Sequence, residues 1–311
     1  MLVKIDFSNL ADLRVDYAFK LLFSEGDPRL LISLLNAIFS NKKIPRVVKS
    51  VTVQNPFLDK YTMDDKLSIL DIKAVLDDGT NILVEMHMHD MSEIKPKTIR
   101  SWARTHSTEL KEGESYISQP PTISIAFIDG AVSDSNKIHT LCKIMDCEDH
   151  TVFTDAMELH YINMKAFVKS VNKAGSINIK DTEEEMFAKW LSIITQKEIK
   201  HKSIIENSCK EEVIQMAVTT MMRQLEDEHV MRNYLRRQAE IESFNRHTAL
   251  REKAEREIVQ YKLEIKQQKR EIAQQKRESA QHKREKEQAE AEIKKLLQQI
   301  AELQTNQNPV T

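Results

Sequence analysis

Residues 67–87, Leu67-Ser68-Ile69-Leu70-Asp71-Ile72-Lys73-Ala74-Val75-Leu76-Asp77-Asp78-Gly79-Thr80-Asn81-Ile82-Leu83-Val84-Glu85-Met86-His87, read as two short apolar strands joined by an Asp-Asp-Gly turn. Gly79 supplies the positive φ that a tight hairpin needs. Side chains alternate across a strand. Leu70, Ile72 and Ala74 therefore share one face of the first strand, and Asp71 and Lys73 the other. On the second strand Ile82, Val84 and Met86 share one face, and Leu83, Glu85 and His87 the opposite one. Two carboxylates, a lysine and a histidine thereby converge on one face of the hairpin. Like charges so placed repel unless a cation lies between them. Such a face is either a cation site or a solvated polar surface, and the second is the commoner fate of a hairpin.

Upstream, residues 14–24 carry helical spacing, with Ala18, Leu21 and Leu22 on one side and Phe19 and Phe23 beside them. Asp16 either caps this helix or lies in its first turn. Gly26 and Pro28 interrupt it. A second helix runs from Pro28 to about Phe39 and carries Leu30, Leu31, Leu34, Leu35 and Ile38. Val47 to Gln54 reads as a strand. Downstream of the hairpin, Pro96 opens a helix that reaches about Glu112 and stops at Gly113, with Arg100, Trp102, Arg104 and His106 within it. Thr122-Ile123-Ser124-Ile125-Ala126-Phe127-Ile128 is a short apolar run that signals a buried strand. Glu158 to Lys165 alternates and reads as another. The order α-α-β-β-β-α-β-β predicts an α/β fold, a mixed sheet with helices layered on it.

From Thr182 the character changes. No proline or glycine occurs between Gly175 and Pro309, and apolar residues recur at helical spacing through Val213, Met216, Ala217, Met221 and Leu225. The last part is a seven-residue repeat. One row holds Ile258, Ile265, Ile272, Ser279, Lys286, Ile293 and Ile300; the other holds Tyr261, Gln268, Gln275, His282, Ala289, Leu296 and Leu303. The rows alternate at spacings of three and four, as the seam of a coiled coil does, although the seam turns polar from Gln268 to Lys286. The Lys-Arg-Glu triplets read as a charge-balanced, solvated flank. The expected division is 1–170 for the α/β core, 171–245 for a helical region, 246–305 for a long heptad helix (a coiled coil), and 306–311 for a disordered tail.

The chain has 311 residues, room for about two domains. Its formal net charge of −2 gives no whole-chain attraction to nucleic acid, so any such affinity must come from a local patch. Only five glycines disfavour an all-β fold with many turns. Cys142, Cys147 and Cys209 are odd in number and form no CxxC pair, which suits a reducing compartment. No signal peptide is legible at the N-terminus, and no apolar run approaches the ~20 residues of a membrane span. A cytoplasmic protein with no membrane partner is expected.

Several short motifs then fall in order: Asp16-Tyr17-Ala18-Phe19-Lys20-Leu21-Leu22-Phe23, Leu34-Leu35-Asn36-Ala37-Ile38, Leu70-Asp71-Ile72-Lys73-Ala74, Val84-Glu85-Met86, Arg100-Ser101-Trp102 and Gly113-Glu114-Ser115-Tyr116. Over roughly residues 12–195 the chain resembles the recombination-promoting nuclease/transposase family of the PD-(D/E)XK nuclease superfamily. The resemblance implies a restriction-endonuclease-like core and metal-dependent cleavage of DNA. It also implies a role in recombination, transposition or mobile-element defence.

Carried over by position, Asp71 matches the central metal-binding aspartate and Glu85 the acidic residue of the next strand. Superfamily members usually place a lysine two residues on, and this family commonly a glutamine; here the position is His87, and Lys73 is the candidate substitute cation. Asp16 matches a recurring acidic position, with a helix-cap role as its alternative. Asp71, Glu85 and the backbone carbonyl of Met86 offer the hard oxygen ligands that Mg²⁺ takes, with Mn²⁺ as a substitute. Lys73 or His87 would position the attacking water or neutralise the transition state. Lys95, Lys97, Arg100 and Arg104 would draw in DNA phosphate. Tyr116 reads as packing, His89 as an ordinary polar residue, and His106 has no assigned role. The other reading is a catalytically impaired nuclease fold that binds DNA or protein and assembles through its C-terminal helix. In either case that helix is expected to make a homodimer.

Overall fold

A computed structural model describes residues 10–54, 57–58, 68–69, 71–88, 91–108, 110, 112–133, 137–177 and 182–306. The chain forms two compact units, Met1–Ser243 and Phe244–Thr311.

The first unit opens on helices α1 (Asp16–Ser24) and α2 (Pro28–Asn41). Asp27 caps α2, its carboxylate accepting from the Arg29 N–H at 2.9 Å, and Pro28 occupies the first turn, where a missing N–H costs nothing. A six-stranded mixed sheet follows, built from β1 (Val51–Gln54), β4 (Ile72–Leu76), β5 (Asn81–His87), β6 (Thr122–Ile128), β7 (His139–Met145) and β8 (Val152–Asn163), in the spatial order β1-β4-β5-β6-β8-β7. The pairs β5–β6 and β6–β8 are parallel; the others are antiparallel. β2 (Phe57–Leu58) and β3 (Ser68–Ile69) make a separate two-stranded ladder.

The hairpin lies at the middle of this sheet. β4 and β5 pair with Ile72 opposite Val84 and Ala74 opposite Ile82, and Gly79 turns with φ 83°. The first strand begins at Ile72. Ser68–Ile69 pairs instead with Phe57–Leu58, and Leu70 and His89 lie outside the described residues.

β5 and β6 are buried along their whole length, as central parallel strands must be when helices cover both faces. On one face Ile82, Val84, Ile123, Ile125 and Phe127 join α1, α2, α5 (Thr182–Ile194), α6 (Lys202–Ser208) and α7 (Glu212–Leu225) in the larger core. Phe19, Phe23 and Trp190 are almost wholly buried there, with Phe23 and Trp190 rings 5.4 Å apart and the indole N–H donating to Ser33 Oγ at 3.0 Å. Each such side chain contributes roughly 1.5–3 kcal/mol by burial. On the other face α3 (Met91–Ser107) covers a smaller apolar patch of Ile94, Ala126, Ile128, Leu159 and Tyr161.

Other elements also differ from the sequence reading; β1, for one, starts at Val51 and not at Val47. α3 starts at Met91 and takes Pro96 into its interior; it ends at Ser107, where Ser107 Oγ donates to the Arg104 carbonyl at 3.0 Å and Gln119 Nε2 to the His106 carbonyl at 2.6 Å. Side chains thus satisfy the last carbonyls and stop the helix before Gly113. β7 was not foreseen: it is a half-exposed edge strand whose apolar residues do not alternate cleanly. β8 ends at Asn163, whose side chain accepts from the Ala166 N–H at 3.0 Å and caps α4 (Met164–Ala174).

α8 (Glu228–Asn306) begins in the first unit, where Met231, Tyr234 and Ile241 pack on the larger core. In the second unit it is exposed: Ile258, Ile265, Ile272, Ile293, Leu296 and Ile300 all stand on open surface. No helix among the described residues is long and apolar enough to cross a membrane.

Candidate active site

Asp71 immediately precedes β4, and its carboxylate accepts from the Met86 N–H at 2.5 Å. The register that sets Ile72 opposite Val84 brings it level with Glu85. Successive residues of a strand turn their backbone polar groups to opposite neighbours. The carbonyl of His87 accepts from the Asp129 N–H beyond the end of β6. The Met86 carbonyl therefore faces the β4 side, where Asp71 lies. Glu85 points toward α3. Its Oε1 is 3.5 Å from Lys97 Nζ and its Oε2 is 3.5 Å from His87 Nε2.

The two carboxylates are shifted in opposite directions. Burial pushes Asp71 up; the Met86 N–H opposes this, but the carboxylates of Asp16 and Glu85 add to it, and the group is raised to about 7. Burial would push Glu85 up as well, yet His87 and Lys97 outweigh it and hold the group below its ordinary range. His87 is itself buried, with Nε2 in ion-pair range of Glu85 but outside hydrogen-bond geometry.

A second wall comes from far along the chain. Asp16, in the first turn of α1, takes Arg237 of α8 through both carboxylate oxygens, at 2.8 and 3.0 Å from Nε and 2.6 Å from Nη2. Arg237 Nη1 also donates to Glu240 at 2.9 Å. Between α1, Asp71 and α8 lies an open cavity of about 220 Å³, lined by Asp16, Lys20, Asp71, Arg236, Arg237 and Glu240 among others. α8 is fixed at this point by Tyr234, whose hydroxyl accepts from the Asp12 N–H at 2.9 Å.

The residues singled out in the sequence are thus distributed unevenly. Asp71, Glu85, His87 and Asp16 gather in one region. Among the described residues the ammonium beside Glu85 belongs to Lys97, whereas Lys73 is half-buried on β4. Arg100 and Lys95 are exposed on α3; Arg104 is buried beneath it. Tyr116, read as a packing residue, is 88% exposed. Arg237 was missed. Its one signal is position: Met231, Tyr234, Gln238 and Ile241 form a seam at spacings of three and four, and Arg237 flanks it.

The groups that Asp71, Glu85 and the Met86 carbonyl could offer a cation are all oxygens. Mg²⁺ is held by one or two carboxylates and keeps several waters, so these groups suit it. No cluster of three or more His, Cys, Asp or Glu side chains that could hold a metal ion occurs among the described residues. The carboxylates of Asp16 and Glu85 that raise Asp71 make the region one where a bound cation relieves repulsion.

The family described as PD-(D/E)XK nuclease family transposase has a sequence model that matches residues 13–246. No curated protein and no solved structure matches the chain.

Proposed function

Because the chain belongs to the PD-(D/E)XK nuclease family of transposases, we propose that it is a Mg²⁺-dependent DNA endonuclease acting in recombination, transposition or mobile-element defence. The observation that carries this is the Asp71–Glu85 pair on neighbouring strands, with the Met86 carbonyl turned toward Asp71 and Lys97 3.5 Å from Glu85. Asp71, Glu85 and that carbonyl would hold the ion, with Mn²⁺ as a substitute. When bound, such an ion lowers the pKa of a water and stabilises charge on the phosphate. Glu85 is kept ionised by His87 and Lys97. Lys97, half-exposed, can reach a phosphate oxygen from its place at Glu85. The lysine role falls to it, with Lys73 on the adjoining strand and Arg100 exposed further along α3. His87 stands 3.5 Å from Glu85 and favours its charged form.

Residues 246–305 would pair with a second copy as a coiled coil, since the isoleucine and leucine rows are exposed along the helix. The protein would act in the cytoplasm.

Supercoiled plasmid incubated with the pure full chain and Mg²⁺ tests the central reading. Nicking that disappears with EDTA and in Asp71→Ala supports it. Absence of cleavage by wild type with both Mg²⁺ and Mn²⁺, while the chain still binds duplex, points to the DNA-binding scaffold instead.

A further inference from the structure

We propose that α8 supplies a phosphate-binding wall to the nuclease cleft, with Arg237 as the central contact, held ready by Asp16 and flanked by Arg236 and Lys20. The assignment rests on the nuclease reading and adds to it the surface that grips the DNA backbone.

A phosphodiester approaching Asp71 meets carboxylates. Asp16, Asp71 and Glu240 all line the same cavity. Without opposing charge, a polyanion would be repelled from the place where it must react. The cavity carries that opposing charge: Lys20 from α1, and Arg236 and Arg237 from α8. These three cations stand against the three carboxylates and lessen the repulsion that a backbone phosphate would meet there.

The Arg237 geometry leaves donors beyond its ion pairs. A guanidinium has five N–H donors. Arg237 spends one on Nε and one on Nη2 at Asp16, and one on Nη1 at Glu240. One N–H on each terminal nitrogen remains beyond these bonds. The side chain is 43% exposed, with the cavity beside it. The bidentate, partly exposed pair with Asp16 both anchors α8 and fixes the plane of the guanidinium. A planar fork pinned along one edge, with donors left over and a cavity beside it, is suited to a phosphate oxygen. Rigid placement comes from the Tyr234–Asp12 bond one helical turn away.

Salt-dependent binding of the full chain to a short labelled duplex in EDTA is the test, because a phosphate contact contributes to the slope of log K against log[salt] and a strut does not. Arg237→Gln and Arg236→Gln should each weaken binding and lower that slope by about one. Glu240→Gln, which removes a negative charge from the wall, should tighten binding. Arg236 is exposed, so its variant stays informative if Arg237→Gln unfolds. Unchanged slopes in Arg236→Gln and in folded Arg237→Gln, with wild type still nicking plasmid, overturn the wall and leave the nuclease standing. Wild type that neither binds duplex nor nicks plasmid overturns both.

Discussion

A buried carboxylate whose native pKa is raised destabilises the chain as it ionises. Asp71 stands at about 7 in the folded protein against 3.8 for the free group, so the folded state holds its proton more tightly. The stability this brings is complete below about 3.8 and is lost as pH rises through about 7. Asn is an isostere that still accepts from the Met86 N–H. Asp71→Asn should therefore abolish nicking while raising the metal-free melting temperature near pH 7.5, by about 2–4 °C for each kcal/mol of repulsion relieved. The gain should shrink toward pH 4. Melting curves with and without Mg²⁺ check this, and Mg²⁺ should stabilise wild type more than the variant. Lys97→Ala leaves Glu85 with only His87 against its burial; plasmid nicking should fall by about 10²-fold, the cost of losing one preorganised electrostatic group. Asp71 and Glu85 were legible because period-two alternation and one hairpin turn suffice to bring them level. Lys97 as the partner of Glu85 was not, because that contact depends on how α3 docks on the sheet.

The helices are unequally held. α2 lies in the larger core with Leu30, Leu31, Leu34 and Leu35 fully buried. α3 meets the sheet across a polar seam in which both amide atoms of Asn81, Thr105 Oγ1 and Ser124 Oγ are buried without a hydrogen-bond partner among the described residues. Unsatisfied buried groups cost about 1–3 kcal/mol each unless water reaches them. Amide hydrogen exchange should therefore run faster in residues 97–105 than in residues 31–39. The strand missed in the sequence, β7, also brings a titrating pair inside. His139 Nε2 lies 2.9 Å from His160 Nδ1, and His160 Nε2 is 3.4 Å from Glu158. Burial pushes His139 down to about 2, helped by His160 and Lys42; burial lowers His160 too, against the pull of Glu158. The unfolded chain takes up these protons near 6.5, so their contribution is complete above that pH and declines as pH falls, in the case of His139 until about 2. Glu158, itself held at about 2, adds to the loss only below about 4.5. Asp71 acts in the opposite sense between 7 and 3.8, so the comparison must be a difference. Between pH 6.5 and 4.5, wild type should lose melting temperature relative to His139→Gln. A constant difference across that window would show the pair to be titrating elsewhere. β7 escaped the sequence because register shifts between Lys143 and Met145 break its period and its outer half is exposed on both faces.

At the scale of the molecule, the seven-residue repeat that suggests a division near residue 245 is visible without any contact map. It did not show that α8 starts at Glu228 and joins the first unit before leaving it. That overlap depends on Tyr234, Arg237 and Ile241, which look like ordinary helix residues until Asp12, Asp16 and the core are brought to them. A chain ending at residue 245 keeps them and should melt cooperatively as a monomer in light scattering, whereas the full chain should be a dimer. A chain ending at residue 230 loses them and should melt lower. The Asp16–Arg237 bond joins positions 221 apart. Synthesis runs from the N-terminus, so Asp16, Asp71 and Glu85 are all translated well before Arg237. A nascent or prematurely terminated copy thus carries Asp16 and the acidic pair without the Arg237 that closes the far wall of their cavity.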